Sequence, residues 1–175
     1  MIYAEQKFCR GPLARSFNSI PGARWVPNIN ISFSKKFGRD QAFKADYDEG
    51  RPDAFVFYSG KIICIECKAA FVRFYFSEWS EAQRKWREQN CFPANVPYYI
   101  ALWISYQADK PKRNHGSLYL VDSSHLLQFD HKSISRSEAS IAMKEIKWVG
   151  SESQGHYSVE ELIPALFRIE AKNNG

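Results

Sequence analysis

Pro52-Asp53-Ala54-Phe55-Val56-Phe57-Tyr58-Ser59-Gly60-Lys61-Ile62-Ile63-Cys64-Ile65-Glu66-Cys67-Lys68 is the stretch from which the rest of the chain is read. Its two apolar runs, residues 54–58 and 61–65, are rich in β-forming residues, and Ser59-Gly60 between them predicts a two-residue hairpin turn. With that turn Tyr58 faces Lys61, and the same register carried to the strand ends sets Asp53 opposite Glu66. Directly opposed residues of an antiparallel ladder have Cβ atoms ~4.5–5.5 Å apart. Lys68, two residues beyond Glu66, points to the same face of the sheet.

Facing carboxylates destabilise a ladder unless a cation lies between them. A hard divalent ion takes oxygen ligands of this kind, and magnesium needs only one or two carboxylates besides water and substrate phosphate. The competing reading makes Asp53 a strand cap and Glu66 with Lys68 a solvated surface pair. Against it, Glu66 ends the run Ile62-Ile63-Cys64-Ile65, whose unbroken apolarity is that of a strand covered on both faces. A charge there is costly, which argues for a site.

The chain has 175 residues, the size of one domain with a full core, so residues 1–175 are read as a single unit. Aromatic residues make up 15%, including five Trp and thirteen Phe, and such a composition excludes whole-chain disorder. The net charge of +5 permits a polyanionic partner without requiring one. No apolar run approaches the ~18 residues of a membrane-spanning helix, and the N-terminus lacks a signal-peptide pattern; a cytoplasmic protein away from membranes is expected. Cys64 and Cys67 have C-x-x-C spacing, but residues three apart on a strand face opposite ways, and no further ligand pair completes a zinc set. The thiols at 9, 64, 67 and 91 therefore read as small buried side chains. The histidines at 115, 125, 131 and 156 show no metal-ligand spacing.

Outward from the hairpin, residues 3–19 read as a helix kinked or restarted at Gly11-Pro12. Residues 28–34 alternate polar and apolar as a half-buried strand, and 35–51 form a basic loop. After the aromatic stretch 69–76, Ser77 is the expected N-cap of a helix reaching about Asn90. Trp79, Ala82, Gln83 and Trp86 mark its inward face. Strands are expected at 98–104 and 118–121, and a short helix from Ser123. Residues 132–148 fit helix and strand equally. A capping box at 158–161 opens a last amphipathic helix through Ile169. The order predicts an α/β fold with a mixed central sheet.

Pro52-Asp53, Glu66-Cys67-Lys68 and the surrounding element order resemble the PD-(D/E)xK nuclease superfamily. The likeness is greatest to its Holliday junction resolvases of the archaeal and RecU-like types, and it covers about residues 3–121, leaving 122–175 as a C-terminal extension. The resemblance implies a restriction-endonuclease-like αβββαβ core with a central mixed sheet flanked by helices. Asp53, Glu66 and the Cys67 carbonyl would hold Mg²⁺, for which Mn²⁺ substitutes. Lys68 would orient the attacking water. Gln83, inward on its helix, would assist, and Glu5 on the first helix is the candidate for a further family carboxylate. Phe76-Ser77 ahead of Gln83 echoes the RecU-like pattern, and Asp46 in Lys44-Ala45-Asp46-Tyr47 competes with Asp53 for the metal.

The activity so implied is Mg²⁺-dependent endonucleolytic hydrolysis of DNA, with junction resolution ahead of restriction or repair cleavage. A non-catalytic nucleic-acid-binding protein on the same fold is the remaining alternative. Phosphate contacts are expected from Lys35, Lys36, Arg39, Lys44, Arg51, Arg73, Lys110, Lys112 and Arg113. A four-way junction has two-fold symmetry, so a homodimer is implied.

Overall fold

The computed structural model describes residues 2–28, 50–106, 115–127, 132–151 and 154–167. The chain runs α1 (Ile2–Glu5), a π turn (Gln6–Arg10), α2 (Gly11–Asn18), β1 (Arg24–Pro27), β2 (Ala54–Tyr58), β3 (Lys61–Phe71), β4 (Arg73–Tyr75) and a 3₁₀ turn (Phe76–Glu78). Next come α3 (Glu81–Trp86) with a second π turn (Arg87–Cys91), β5 (Tyr98–Ser105), β6 (Gly116–Asp122) and α4 (Ser123–Leu126). The rest is β7 (Ser133–Ser135), α5 (Arg136–Ala142), β8 (Lys144–Ile146), β9 (Trp148–Val149), β10 (His156–Tyr157) and α6 (Val159–Phe167).

The hairpin forms in the expected register, with Tyr58 opposite Lys61 and Ala54 opposite Ile65. Ser59 and Gly60 both take positive φ, 50° and 74°, the turn whose twist matches that of the flanking strands. Around the hairpin a six-stranded sheet builds in the order β1-β2-β3-β5-β6-β8. It is mixed: β3 and β5 are parallel and the other neighbours antiparallel. All eight residues of β5 are buried, as befits a strand covered on both faces.

Side-chain alternation divides the core. Ile63, Ile65, Cys67 and Ala69 of β3 pack with Phe8, Leu13 and Phe17 of the N-terminal helix and with Leu162 and Leu166 of α6. Cys64 and Ala70 face the other way, toward Trp79, Cys91, Leu126 of α4 and Ala139 of α5. The molecule is thus α/β, a mixed sheet flanked by helices. Cys64 and Cys67 do lie on opposite faces, and all four thiols are free and buried.

At Gly11-Pro12, where a kink or restart is expected, the π turn gives way to α2, which starts at Gly11 with Pro12 in its first turn. Residues 2–18 are one helix, because the π turn ahead of the proline lets the Gly11 N–H reach the Gln6 carbonyl. Pro12 has no N–H for the Phe8 carbonyl, and the Tyr157 hydroxyl donates to that oxygen instead (2.5 Å). The first strand is β1 at Arg24–Pro27. Of the strand expected at 28–34, residues 29–34 lie outside the described residues, and so do Lys35, Lys36, Arg39, Lys44, Asp46, Lys110, Lys112 and Arg113.

Ser77 is not the cap of α3. The extended Trp79 separates the 3₁₀ turn from the helix, and Ser80 caps it, receiving the Gln83 N–H while the Gln83 side-chain oxygen accepts from the Ser80 N–H. At α6 the expected capping box does not close. Glu161 turns instead to the Lys147 N–H (2.7 Å), and Ser158 bonds Glu160. The ambiguous stretch 132–148 holds β7, α5, β8 and the start of β9. Through β8 and α6 the C-terminal extension adds a strand to the central sheet and a helix to its core.

Candidate active site

The site forms where β3 outruns β2. Among the described residues β3 from Glu66 onward pairs with β5 alone, because β2 begins only at Ala54. The edge so exposed is closed by a side chain: the Asp53 Oδ2 accepts the Cys67 N–H at 2.7 Å. Glu66 and Lys68 interrupt the apolar face of β3 between Cys64 and Ala70, which places two charges beneath α3.

Glu66 is 1% exposed and meets three donors. Lys68 Nζ lies 2.8 Å from its Oε1, and the Gln83 side-chain amide donates to the same oxygen. The Tyr98 hydroxyl, from β5, makes a long 3.4 Å bond to Oε2. Gln83 is delivered by its place in the first turn of α3, where its oxygen serves the cap and its nitrogen serves Glu66. Gly50 fixes the opposite wall. It passes the first turn of α3 at φ +106°, and a Cβ there would lie 2.2 Å from the Ala82 carbonyl oxygen.

The N-terminal helix supplies two further groups. A π turn places residues five apart on one side, and here those residues are Glu5 and Arg10. Arg10 pairs with Glu5 and reaches Asp53 Oδ1 at 2.7 Å. Among the described residues three carboxylates (Glu5, Asp53, Glu66) therefore stand against two cations (Arg10, Lys68).

The electrostatics follow from this crowding. Burial and the Glu66 charge push the Asp53 carboxyl up to about 7, against the pull of Arg10 and the Cys67 N–H. Burial likewise raises Glu66, opposed by Lys68. Burial favours a neutral Lys68, but Glu66 beside it wins and holds the ammonium above its ordinary value. Burial pushes the Tyr98 phenol up, and the Glu66 charge adds to it.

The structure brings Asp53, Glu66, Lys68, Gln83 and Glu5 into one neighbourhood. Arg51 is exposed, and Arg73 is tied to Ser133 (2.9 Å) and faces Glu138 in the β4–β7 pair. Arg10 and Tyr98 belong to the site without a sequence signal of ordinary kind. Arg10 comes into place only through the π turn, and Tyr98 reads as one more apolar residue of a central strand.

Among the described residues no group of three or more His, Cys, Asp or Glu side chains is set to hold a metal ion. The pair Asp53 and Glu66 still fits a hard ion that asks for two carboxylates and water. Burial first and the Glu66 charge second raise the Asp53 carboxyl, and a cation beside it would offset both. The same donors do not suit a soft metal, which prefers thiolate or imidazole. No family model matches this chain, and no curated protein matches it.

Proposed function

We propose that this protein is a divalent-metal-dependent endonuclease of the PD-(D/E)xK superfamily, with a restriction-endonuclease-like core, that hydrolyses DNA phosphodiester bonds. Branched DNA, above all the four-way junction, is the substrate we favour, cut by a homodimer. One observation carries the reading. A buried glutamate, a lysine two residues on and a helix glutamine meet within hydrogen-bond reach, with Asp53 anchored one residue away on the same strand.

Asp53 and Glu66, with the Cys67 carbonyl, would hold Mg²⁺ or Mn²⁺. When bound, such an ion supplies polarisation of the phosphoryl oxygen and a lowered pKa for water. The protein's own groups do the rest. Lys68, kept protonated by Glu66, offers its remaining N–H bonds to the attacking water and its charge to the developing phosphorane. Gln83 fixes the Glu66 carboxylate so that its free lone pairs keep one direction. Arg10 holds Asp53 in line with the Cys67 N–H, and Tyr98 closes the site from β5.

A second reading has an observation of its own. Arg10 on Asp53 and Lys68 on Glu66 leave each of these carboxylates paired with a cation, as a non-catalytic nucleic-acid-binding protein on this fold would have them. Incubation with a synthetic four-way junction, linear duplex, single strand and flap, each with and without Mg²⁺, separates the possibilities. Symmetric Mg²⁺-dependent nicks near the branch point support resolution. Cleavage at one duplex sequence supports restriction, and binding without cleavage supports the second reading.

A further inference from the structure

Each face of the central sheet carries a pair of thiols. Cys9 and Cys67 meet on the face of the N-terminal helix, both wholly buried. Cys64 on β3 and Cys91 at the end of the second π turn meet on the other, their sulfurs 3.4 Å apart. Only the second pair adjoins the cavity of about 830 Å³ at the N-terminal ends of β3 and β5, which Cys91, Arg87, Ile63 and Tyr98 help to line. Cys91 forms part of its wall, and Cys64 lies directly behind.

We propose that Cys91 and Cys64 form a redox-active dithiol: Cys91, reached through the cavity, is the attacking sulfur and Cys64 the resolving one, and the oxidant is a small organic disulfide. Cys91 gives up its proton and attacks one sulfur of the reagent. The reagent's S–S bond breaks, and half of it leaves as a thiol. Cys64 then loses its proton and attacks the Cys91 sulfur, expelling the second half as a thiol. Two protein thiols are oxidised and one external disulfide is reduced.

The surroundings assign these roles. Arg87 lines the same cavity and spends its Nε on Ser123 Oγ (2.5 Å), leaving its charge beside Cys91. The hydrogen bond between the two thiols lowers the Cys91 thiol, and Arg87 adds to this against the pull of burial. Cys64 stands behind Cys91 and does not line the cavity, so an external reagent meets Cys91 first. A disulfide bond of ~2.05 Å needs the two sulfurs to close by little more than an ångström. Cys91 ends a helix in a π turn, a local irregularity common at functional sites.

The closed bond has a further geometric consequence. Cys64 and Glu66 are consecutive residues on one face of β3, and Cys91 and Gln83 lie on the same continuous helix. The Cys64–Cys91 and Glu66–Gln83 contacts are two rungs between the same two elements.

The test uses the native full chain treated with hydroxyethyl disulfide, quenched, denatured, alkylated and mapped by mass spectrometry without reduction. Two of the four thiols should disappear, and the peptides of Cys64 and Cys91 should be found cross-linked. Cys64→Ser should stop at a mixed disulfide on Cys91, and Cys91→Ser should leave Cys64 reduced. Four alkylatable thiols after treatment, prior oxidation of Cys9 and Cys67, or modification of Cys64 in the Cys91→Ser chain would each overturn the proposal. The wild-type map decides the matter alone if either variant fails to fold.

Discussion

Asp53 takes the backbone N–H of Cys67 on its side-chain oxygen at 2.7 Å, so a carboxylate continues the edge of β3 past Ile65, where its pairing with β2 ends. The same side chain faces Glu66, and its carboxyl rises to about 7 through burial first and that charge second. An aspartate is ordinarily half-ionised near 3.8. Between these values the folded chain binds a proton that the unfolded chain has released, so stability falls as pH rises. Urea denaturation from pH 4 to 8 should show that decline. Asp53→Asn, which has no proton to lose, should flatten it; an unchanged slope would remove Asp53 as its source.

Under the proposed function the same protonation would govern cation affinity. Mg²⁺ held by Asp53 would compete with a proton there, so stabilisation by a fixed Mg²⁺ concentration should grow as pH passes about 7. Thermal melts with and without Mg²⁺ at pH 6 and pH 8 measure it. An equal shift at both values would place the ion elsewhere.

Lys68→Ala should be costly for a different reason. It strips the ammonium 2.8 Å from a carboxylate that is 1% exposed, and breaking a buried pair costs about 3 kcal/mol or more. Pairing the change with Glu66→Gln removes the stranded charge, and the double variant should recover much of the loss in equilibrium unfolding.

Tyr157→Phe leaves the Phe8 carbonyl without its 2.5 Å donor, at a cost of about 1–3 kcal/mol for a buried unsatisfied acceptor. Pro12→Ala restores a helix N–H able to reach that oxygen. The two substitutions should therefore couple, with the tyrosine change costing less in the Pro12→Ala background of a double-mutant cycle.

Gly50→Ala forces a Cβ to within 2.2 Å of the Ala82 carbonyl oxygen at a φ of +106°. Neither backbone can yield without shifting α3 from the Asp53 segment. A loss of about 2 kcal/mol or more, with the Gln83 side-chain amide resonances displaced in NMR spectra, is the expected result.

These residues differ in how plainly the sequence announces them. The hairpin was legible because Ser59-Gly60 names its own turn and a period of two then fixes every partner down to Ala54 against Ile65, while Asp53 lies beyond the ladder and bonds the Cys67 N–H. Gln83 was legible as inward, although its helix is capped by Ser80 and starts at Glu81 because Trp79 is extended. Arg10 was not, because a π turn shifts the helix phase by one residue and 3.6-residue periodicity carries no sign of it. The stretch 132–148 hid its elements for a plainer reason: β7 and β8 have three residues each, too few for a period to show.

Cleavage of a radiolabelled four-way junction, titrated with Mg²⁺ and compared between wild type and Asp53→Asn, bears on the whole proposal at once. Turnover should appear only with the cation and fall at least about a hundredfold in the variant, equivalent to ~2.7 kcal/mol of lost transition-state stabilisation, while junction binding persists. Cleavage without a divalent ion, or undiminished cleavage by Asp53→Asn, would show that these side chains are not the catalytic centre.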